Sequence, residues 1–214
     1  MRSVGHILIV YALNLAFFVS AFAAKPPNII IVYVDDMGYG DASCLNPKSK
    51  FKTPNIDRLA KEGMTFTDGH CSDTVCTPSR YGLLTGRYSW RTTLKRGVMK
   101  AEAPCLIADG RVTLASFLRE NGYATAMVGK WHLQQQPTDF GFERYWGHLS
   151  GATNFFTGDD SFRLNGEKWD VPRTLHGKPF YTTHAITDFA LDFLEEATAR
   201  DNPFLLYVAF NAPH

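Results

Sequence analysis

The segment from Asn28 to Val34 limits the fold more than any other part of the chain. It is an unbroken run of β-branched and aromatic residues after Asn28, and it lacks the polar alternation of a strand with one wet face. Such a run reads as a strand buried on both sides, which predicts a central position in a parallel sheet. Parallel strands need long crossover connections, usually helical, and the sequence supplies them. Thr53-Pro54, with Ile56, Leu59 and Ala60 and a stop at Gly63, has the cap and spacing of a short amphipathic helix. Thr113, Leu114, Phe117 and Leu118 repeat the pattern up to Asn121-Gly122, and Tyr123 to Val128 follows as a strand. Between His184 and Ala199, Ile186, Phe189, Ala190, Phe193, Leu194 and Ala197 mark one helical face, and Phe204 to Phe210 is a further buried strand. The alternation predicts an α/β fold with a largely parallel central sheet flanked by helices. The polar, weakly periodic stretch Gly147 to Lys178 reads as a long insertion or substrate-facing loop.

The amino terminus has a different character. Arg2, the apolar run Ile7 to Val19 and the small residues Ser20 to Ala24 have the layout of a secretory signal peptide, dividing the chain into a leader, 1–24, and a mature part, 25–214. The apolar core is shorter than the ~20 residues of a bilayer span and is interrupted by Asn14, so no stable membrane span is expected. The expected compartment is secreted, periplasmic or lysosomal in type. Export permits disulfides among Cys44, Cys71 and Cys105, with the pairing open; engaging Cys76 as well would remove a thiol that the chemistry below needs. The net charge is +1, and Lys95-Arg96 is the longest basic block, which gives a nucleic-acid surface no support.

Chemistry-bearing residues fall at predicted strand ends, where α/β folds gather their active sites. Asp35-Asp36 follows the first strand and offers hard oxygen ligands for Ca²⁺ or Mg²⁺. Neighbouring strand residues point to opposite faces, so both carboxylates reach one ion only if the backbone turns there, which Gly38 and Gly40 would permit. Gly129-Lys130-Trp131-His132 follows the second strand, bringing a cation and an imidazole, and His214 follows the last. Cys76-Thr77-Pro78-Ser79-Arg80 reads as a helix start, with Thr77 as N-cap, Pro78 as first helical residue and Gly86 as the stop. That places the thiol and Arg80 at an anion-friendly helix end. Asp159-Asp160 follows no buried strand and is expected to be merely solvated, a control for the first acidic pair.

Taken together and in this order, Asp35-Asp36, the Thr53 to Ala60 segment, CTPSR at Cys76 to Arg80, GKWH at Gly129 to His132 and Pro213-His214 resemble the amino-terminal part of the type I sulfatases, in the alkaline-phosphatase-like superfamily. The resemblance covers everything after Lys25. It implies that Cys76 is oxidised by a formylglycine-generating or sulfatase-maturating enzyme to formylglycine, whose hydrate is the nucleophile. It implies that Asp35, Asp36 and the modified Cys76 hold a divalent cation, most simply Ca²⁺ with Mg²⁺ as the other choice. In the implied reaction, His214 protonates the leaving group of a sulfate ester or sulfated carbohydrate, and His132 deprotonates the hydrate hydroxyl that remains so that sulfate is expelled. Arg80 and Lys130 orient the nucleophile and offset negative charge. The same superfamily makes a phosphonate or phosphodiester hydrolase the enzymatic rival, and a noncatalytic secreted binding protein the other one. Family members take further metal ligands, an Asp-Asn pair, and another Lys from beyond the Pro-His position, so residues 1–214 are expected to be an incomplete piece with little activity alone. Trp90, Arg91 and the Gly147 to Lys178 loop are expected to shape the substrate pocket.

Overall fold

The computed structural model describes residues 25–100 and 103–214, so the proposed leader 1–24 lies outside the described residues. Six strands form one sheet in the order β1 (Ile29–Asp35), β8 (Phe204–Pro213), β2 (Ala124–Gly129), β3 (Arg144–His148), β4 (Phe162–Leu164) and β5 (Glu167–Lys168). The first four run parallel, and β4 and β5 extend the sheet antiparallel. Helices α2 (Cys76–Thr85) and α3 (Leu114–Glu120) cover one face, and α4 (Thr182–Thr198) covers the other. This is the largely parallel, helix-flanked sheet that the strand and helix alternation predicts.

Strand β8 shows why. Leu205, Tyr207 and Ala209 pack with Tyr81 and Leu84 of α2 and Leu118 of α3, while Phe204, Leu206 and Val208 pack with Ile186, Ala190 and Phe193 of α4. A continuous apolar run is the sequence that satisfies both faces at once. Helix α3 opens on a capping box in which Thr113 and Ser116 each receive the other's backbone amide. Helix α4 buries the stripe its spacing predicts, including Ala185, Ile186, Ala190, Phe193 and Ala197.

Strand β1 departs from expectation. It pairs only with β8 among the described residues and lies at the sheet edge, with Ile29, Ile31 and Tyr33 on the core and Ile30 and Val32 50% and 59% exposed. Hydrophobicity specifies which faces can be buried; it does not bring a helix over them, and α4 lies over β8 and β2 instead. Helix α1 (Pro54–Glu62) begins and ends where Thr53-Pro54 and Gly63 place it, yet none of its residues is buried and Leu59 is 65% exposed. The Thr53 hydroxyl bonds Asp57 and Ser43 rather than the helix amides.

The stretch Gly147 to Lys178 is not simply a loop. It holds the end of β3, the β4–β5 hairpin, and β6 (Thr174–Leu175), which pairs with β7 (Lys178–Pro179). Strands of two or three residues are too short to write a period into the sequence. An aromatic cluster fastens them to the core: Trp146 stacks on Phe189 at 4.2 Å and meets Trp169 edge-on at 5.2 Å. Among the described residues no helix is long and apolar enough to cross a membrane.

Candidate active site

The parallel order β1, β8, β2 puts three strand ends side by side, which brings Asp35, Lys130 and His214 together from widely separated sequence positions. The backbone does turn at the acidic pair, but at Asp36 itself, with φ of 64°, rather than at Gly38 or Gly40. The β1 register slips between Tyr33 and Asp35, so that Asp35 faces Pro213. At the end of β2, Gly129 has φ of 107° and leaves no room for a side chain, since a Cβ there would fall 2.0 Å from the Ala209 carbonyl oxygen. The chain then turns through His132, φ 55°, which presents its ring to α2.

Helix α2 starts earlier than Thr77-Pro78 suggests. Cys76 is its first residue, extended Val75 is the N-cap, and no side chain caps it. Thr77 is therefore inside the helix and fully buried, with its hydroxyl on the Met99 amide. Gly86 closes the helix in the left-handed conformation as expected. One turn on from Cys76, Arg80 points inward. It donates to Asp35 Oδ2 at 3.1 Å and to the Lys130 carbonyl at 2.5 Å, and its guanidinium lies 5.2 Å from the centre of the Tyr33 ring.

Lys130, also fully buried, forms a second ion pair with Asp35 and approaches His214 Nδ1 at 3.1 Å. Two cations thus flank one carboxylate in a site shielded from water. Burial alone would raise the Asp35 carboxyl, but the hydrogen bond from Lys130 and the charges of Arg80 and Lys130 outweigh it and hold the group below its ordinary range. Asp36 is exposed, with His214 Nε2 3.9 Å from its Oδ2.

His132 Nδ1 lies 3.2 Å from Cys76 Sγ. Its burial first, then the charges of Lys130 and Arg80, push its pKa down to about 4, so the ring is neutral near pH 7 and can accept a proton. Beside it opens a cavity of about 600 Å³, with Met99, Leu149, Gln134, Gln135 and Ser150 among its lining residues. Leu149 and Ser150 come from the Gly147 to Lys178 stretch; Trp90 and Arg91 do not line this cavity. Trp90 stacks on Tyr88 instead, at 4.0 Å.

The structure therefore joins Asp35, Arg80, Lys130 and His214 in one network, with Asp36 at its open side and Cys76 and His132 as a contacting pair. All four cysteines are free thiols, which removes the disulfides considered for Cys44, Cys71 and Cys105; Cys105 donates instead to the Leu133 carbonyl at 3.3 Å. Asp159 is also unlike its expectation. It is half-buried and accepts from the Ser150 hydroxyl at 2.9 Å and the Ser161 amide at 2.7 Å, whereas Asp160 is exposed beside Lys168. The Ser150 hydroxyl lies 3.0 Å from Nδ1 of buried His148. Neither Ser150 nor this contact was legible, because Ser150 sits in a stretch without period and nothing local links it to Asp159.

Asp35, Asp36 and His214 each place one ligand atom within 4.8 Å of the others, and Cys76 lies outside that group. Asp35 is buried while Asp36 and His214 are exposed, and two carboxylates with an imidazole offer donors, hard oxygens among them, of the kind that suit Ca²⁺ or Mg²⁺.

The sulfatase family model matches residues 27–214. The chain is 40% identical to human arylsulfatase A, over 95% of this chain and 44% of that protein. It is 35% identical to the N-acetylgalactosamine-6-sulfatase of Canis lupus familiaris, over 91% of this chain and 41% of that protein. Among solved structures, Ps i-CgsB in complex with k-i-k-neocarrahexaose superposes with a TM-score of 0.77 at 30% identity, covering 88% of this chain and 45% of that one. A member of the alkaline phosphatase superfamily from Vibrio parahaemolyticus shares the fold at a TM-score of 0.54 and 19% identity, over 90% of this chain and 42% of that one. The chain spans about two fifths of the length of these two curated relatives.

Proposed function

Because the chain belongs to the sulfatase family, we propose that it carries the nucleophile and acid–base residues of a sulfuric ester hydrolase acting on sulfated carbohydrate. The observation that carries this reading is the approach of neutral His132 to Cys76 at 3.2 Å, directly beside the Asp35, Arg80 and Lys130 network. Relatives named for N-acetylgalactosamine 6-sulfate, and a neighbour described with its substrate D-glucosamine-2-N,6-O-disulfate, at 30% identity and a TM-score of 0.70, support a sugar sulfate as the class.

Formylglycine at position 76, made by a maturating enzyme, would supply the attacking hydroxyl, and a divalent cation held by Asp35 and Asp36 would polarise the sulfate. The chain's own residues supply the rest. His132 faces position 76 through Nδ1 and, being neutral, takes a proton there. His214 stands partly exposed on the open side of the network, where it can pass a proton to the departing alcohol oxygen. Arg80 spends its terminal nitrogens on Asp35 and the Lys130 carbonyl, so its work is to hold the carboxylate in place. Lys130 offsets charge between Asp35 and His214. The leader 1–24 would route the chain to an export compartment, where terminal sequencing should find a start near Lys25.

Mass spectrometry of the Cys76 peptide is the decisive test, made on protein from a host with formylglycine-generating activity. The expected result is replacement of the thiol by an aldehyde, with loss of sulfate-ester turnover in full-length Cys76→Ala. An unmodified Cys76 in such a host would overturn the reading, and faster turnover of a matched phosphate ester would move the chain to phosphoryl chemistry.

A further inference from the structure

Gly151 follows Ser150 on the wall of the cavity, and its space is already taken. A Cβ there would lie 2.6 Å from Cε1, 2.7 Å from Nε2 and 3.1 Å from Nδ1 of His132. Its backbone φ is not among the positive values, so steric room and not conformation is what the position requires. The same ring has Thr77 Oγ1 3.4 Å from both of its nitrogens and Cys76 Sγ 3.2 Å from Nδ1. His132 is thus confined by α2 on one hand and by the backbone after β3 on the other.

That backbone has its own anchor. The Ser150 amide donates to Ser161 Oγ at 3.2 Å, the Ser150 hydroxyl donates to Asp159 at 2.9 Å, and Asp159 also accepts the Ser161 amide. The Leu149 amide is tied to the Ser161 carbonyl at 3.2 Å. His148 Nδ1 lies 3.0 Å from the Ser150 hydroxyl.

We propose that Gly151 and Asp159 are positioning residues for His132: the Asp159 network fixes the His148 to Gly151 segment, and the bare Gly151 backbone presses the imidazole into place against Cys76. The consequence for catalysis rests on the sulfate-ester reading, but the placement itself does not. An added methyl must displace the ring, because the atoms it meets belong to a side chain that can swing away, whereas loss of Asp159 only loosens the wall.

Carbethoxylation by diethyl pyrocarbonate at neutral pH, read peptide by peptide by mass spectrometry, reports the ring without any turnover. In the wild type both His132 and His148 are buried and should react slowly. Gly151→Ala should raise the His132 rate by about tenfold while His148 stays protected, since a relieved overpacking of this size favours the displaced ring. Asp159→Ala should give a smaller rise, about threefold, and Asp160→Ala none. Unchanged His132 reactivity in a folded Gly151→Ala, or an equal rise at His148, would overturn the proposal. If Gly151→Ala does not fold, the contrast between Asp159→Ala and Asp160→Ala decides it, and equal reactivity in those two would overturn it. Failure to find formylglycine at Cys76 would leave this result standing and would remove only the catalytic reading.

Discussion

The two acidic pairs, Asp35-Asp36 and Asp159-Asp160, look alike in sequence and share one geometric rule. In each, the first aspartate turns inward and the second outward. They differ in what receives the inward carboxylate. Asp35 is met by two buried cations, Arg80 and Lys130, whereas Asp159 is met by neutral donors, the Ser150 hydroxyl and the Ser161 amide among them. Burying a charge is costly unless it is compensated, and the two sites solve that cost by different means. The ionic solution is brittle, because each partner exists to neutralise the others. The neutral one is softer, since removing its carboxylate leaves no uncompensated charge behind.

The comparison is tested most severely by Asp35→Ala, which strands Arg80 and Lys130 without their counter-charge. A loss of about 3 to 5 kcal/mol in unfolding free energy is expected by urea titration, the usual consequence of breaking one side of a buried ion pair. The pH dependence follows from the lowered Asp35 pKa. The unfolded carboxyl binds protons first as pH falls, so this contribution is fully present above its unfolded pKa of about 4 and is lost as pH drops through the lower folded value. Asp35→Ala should lack that part of the acid limb. A variant as stable as the wild type would show the cations are independently solvated.

Asp159→Ala should cost less, about 1 to 3 kcal/mol, chiefly for leaving the Ser161 amide without its acceptor, since the Ser150 hydroxyl keeps His148 Nδ1 within reach. Burial opposes ionisation of Asp159 too, but the bonds from Ser161, Thr153 and Ser150 prevail and lower its pKa, so the sign of its acid dependence is the same. If this variant lost as much as Asp35→Ala, the distinction between ionic and neutral compensation would fail.

Much of this was legible and some was not, for separable reasons. Gly86, the Thr113 cap and the α4 stripe were read correctly because each depends on contacts within one or two turns. The convergence of Asp35, Lys130 and His214 was legible because parallel strands must deliver their carboxyl ends to one edge, and the expected turn at the acidic pair is there, made by Asp36. The position of β1 at the sheet edge among the described residues was not legible, since Ile30 and Val32 have the same character as the doubly buried residues of β8. Thr77 was misread as a cap because its residue type suits that role; the helix begins earlier, and its hydroxyl sits at Met99 and His132 instead. Asp159 was misread because its partners Ser150 and Ser161 reach it through the β3–β4 connection, a pairing with no local signature.

The smallest stability effects belong to the outward members, and they separate the pairs most cleanly. Asp36 and Asp160 are both exposed, and replacing either with Ala should move unfolding free energy by no more than about 0.5 kcal/mol. Their functions should diverge. Asp36 lies within reach of Asp35 and His214, so Asp36→Ala removes one of two carboxylates from the proposed cation donor set and should weaken Ca²⁺ binding by about tenfold or more in calorimetric titration. The Asp160 carboxylate pairs with Lys168 at 3.3 Å on the surface, an arrangement worth little and unsuited to a cation. Asp160→Ala should leave Ca²⁺ affinity unchanged. Equal loss in both variants would mean that the ion responds to general surface charge, and the two pairs would then differ only in their buried members.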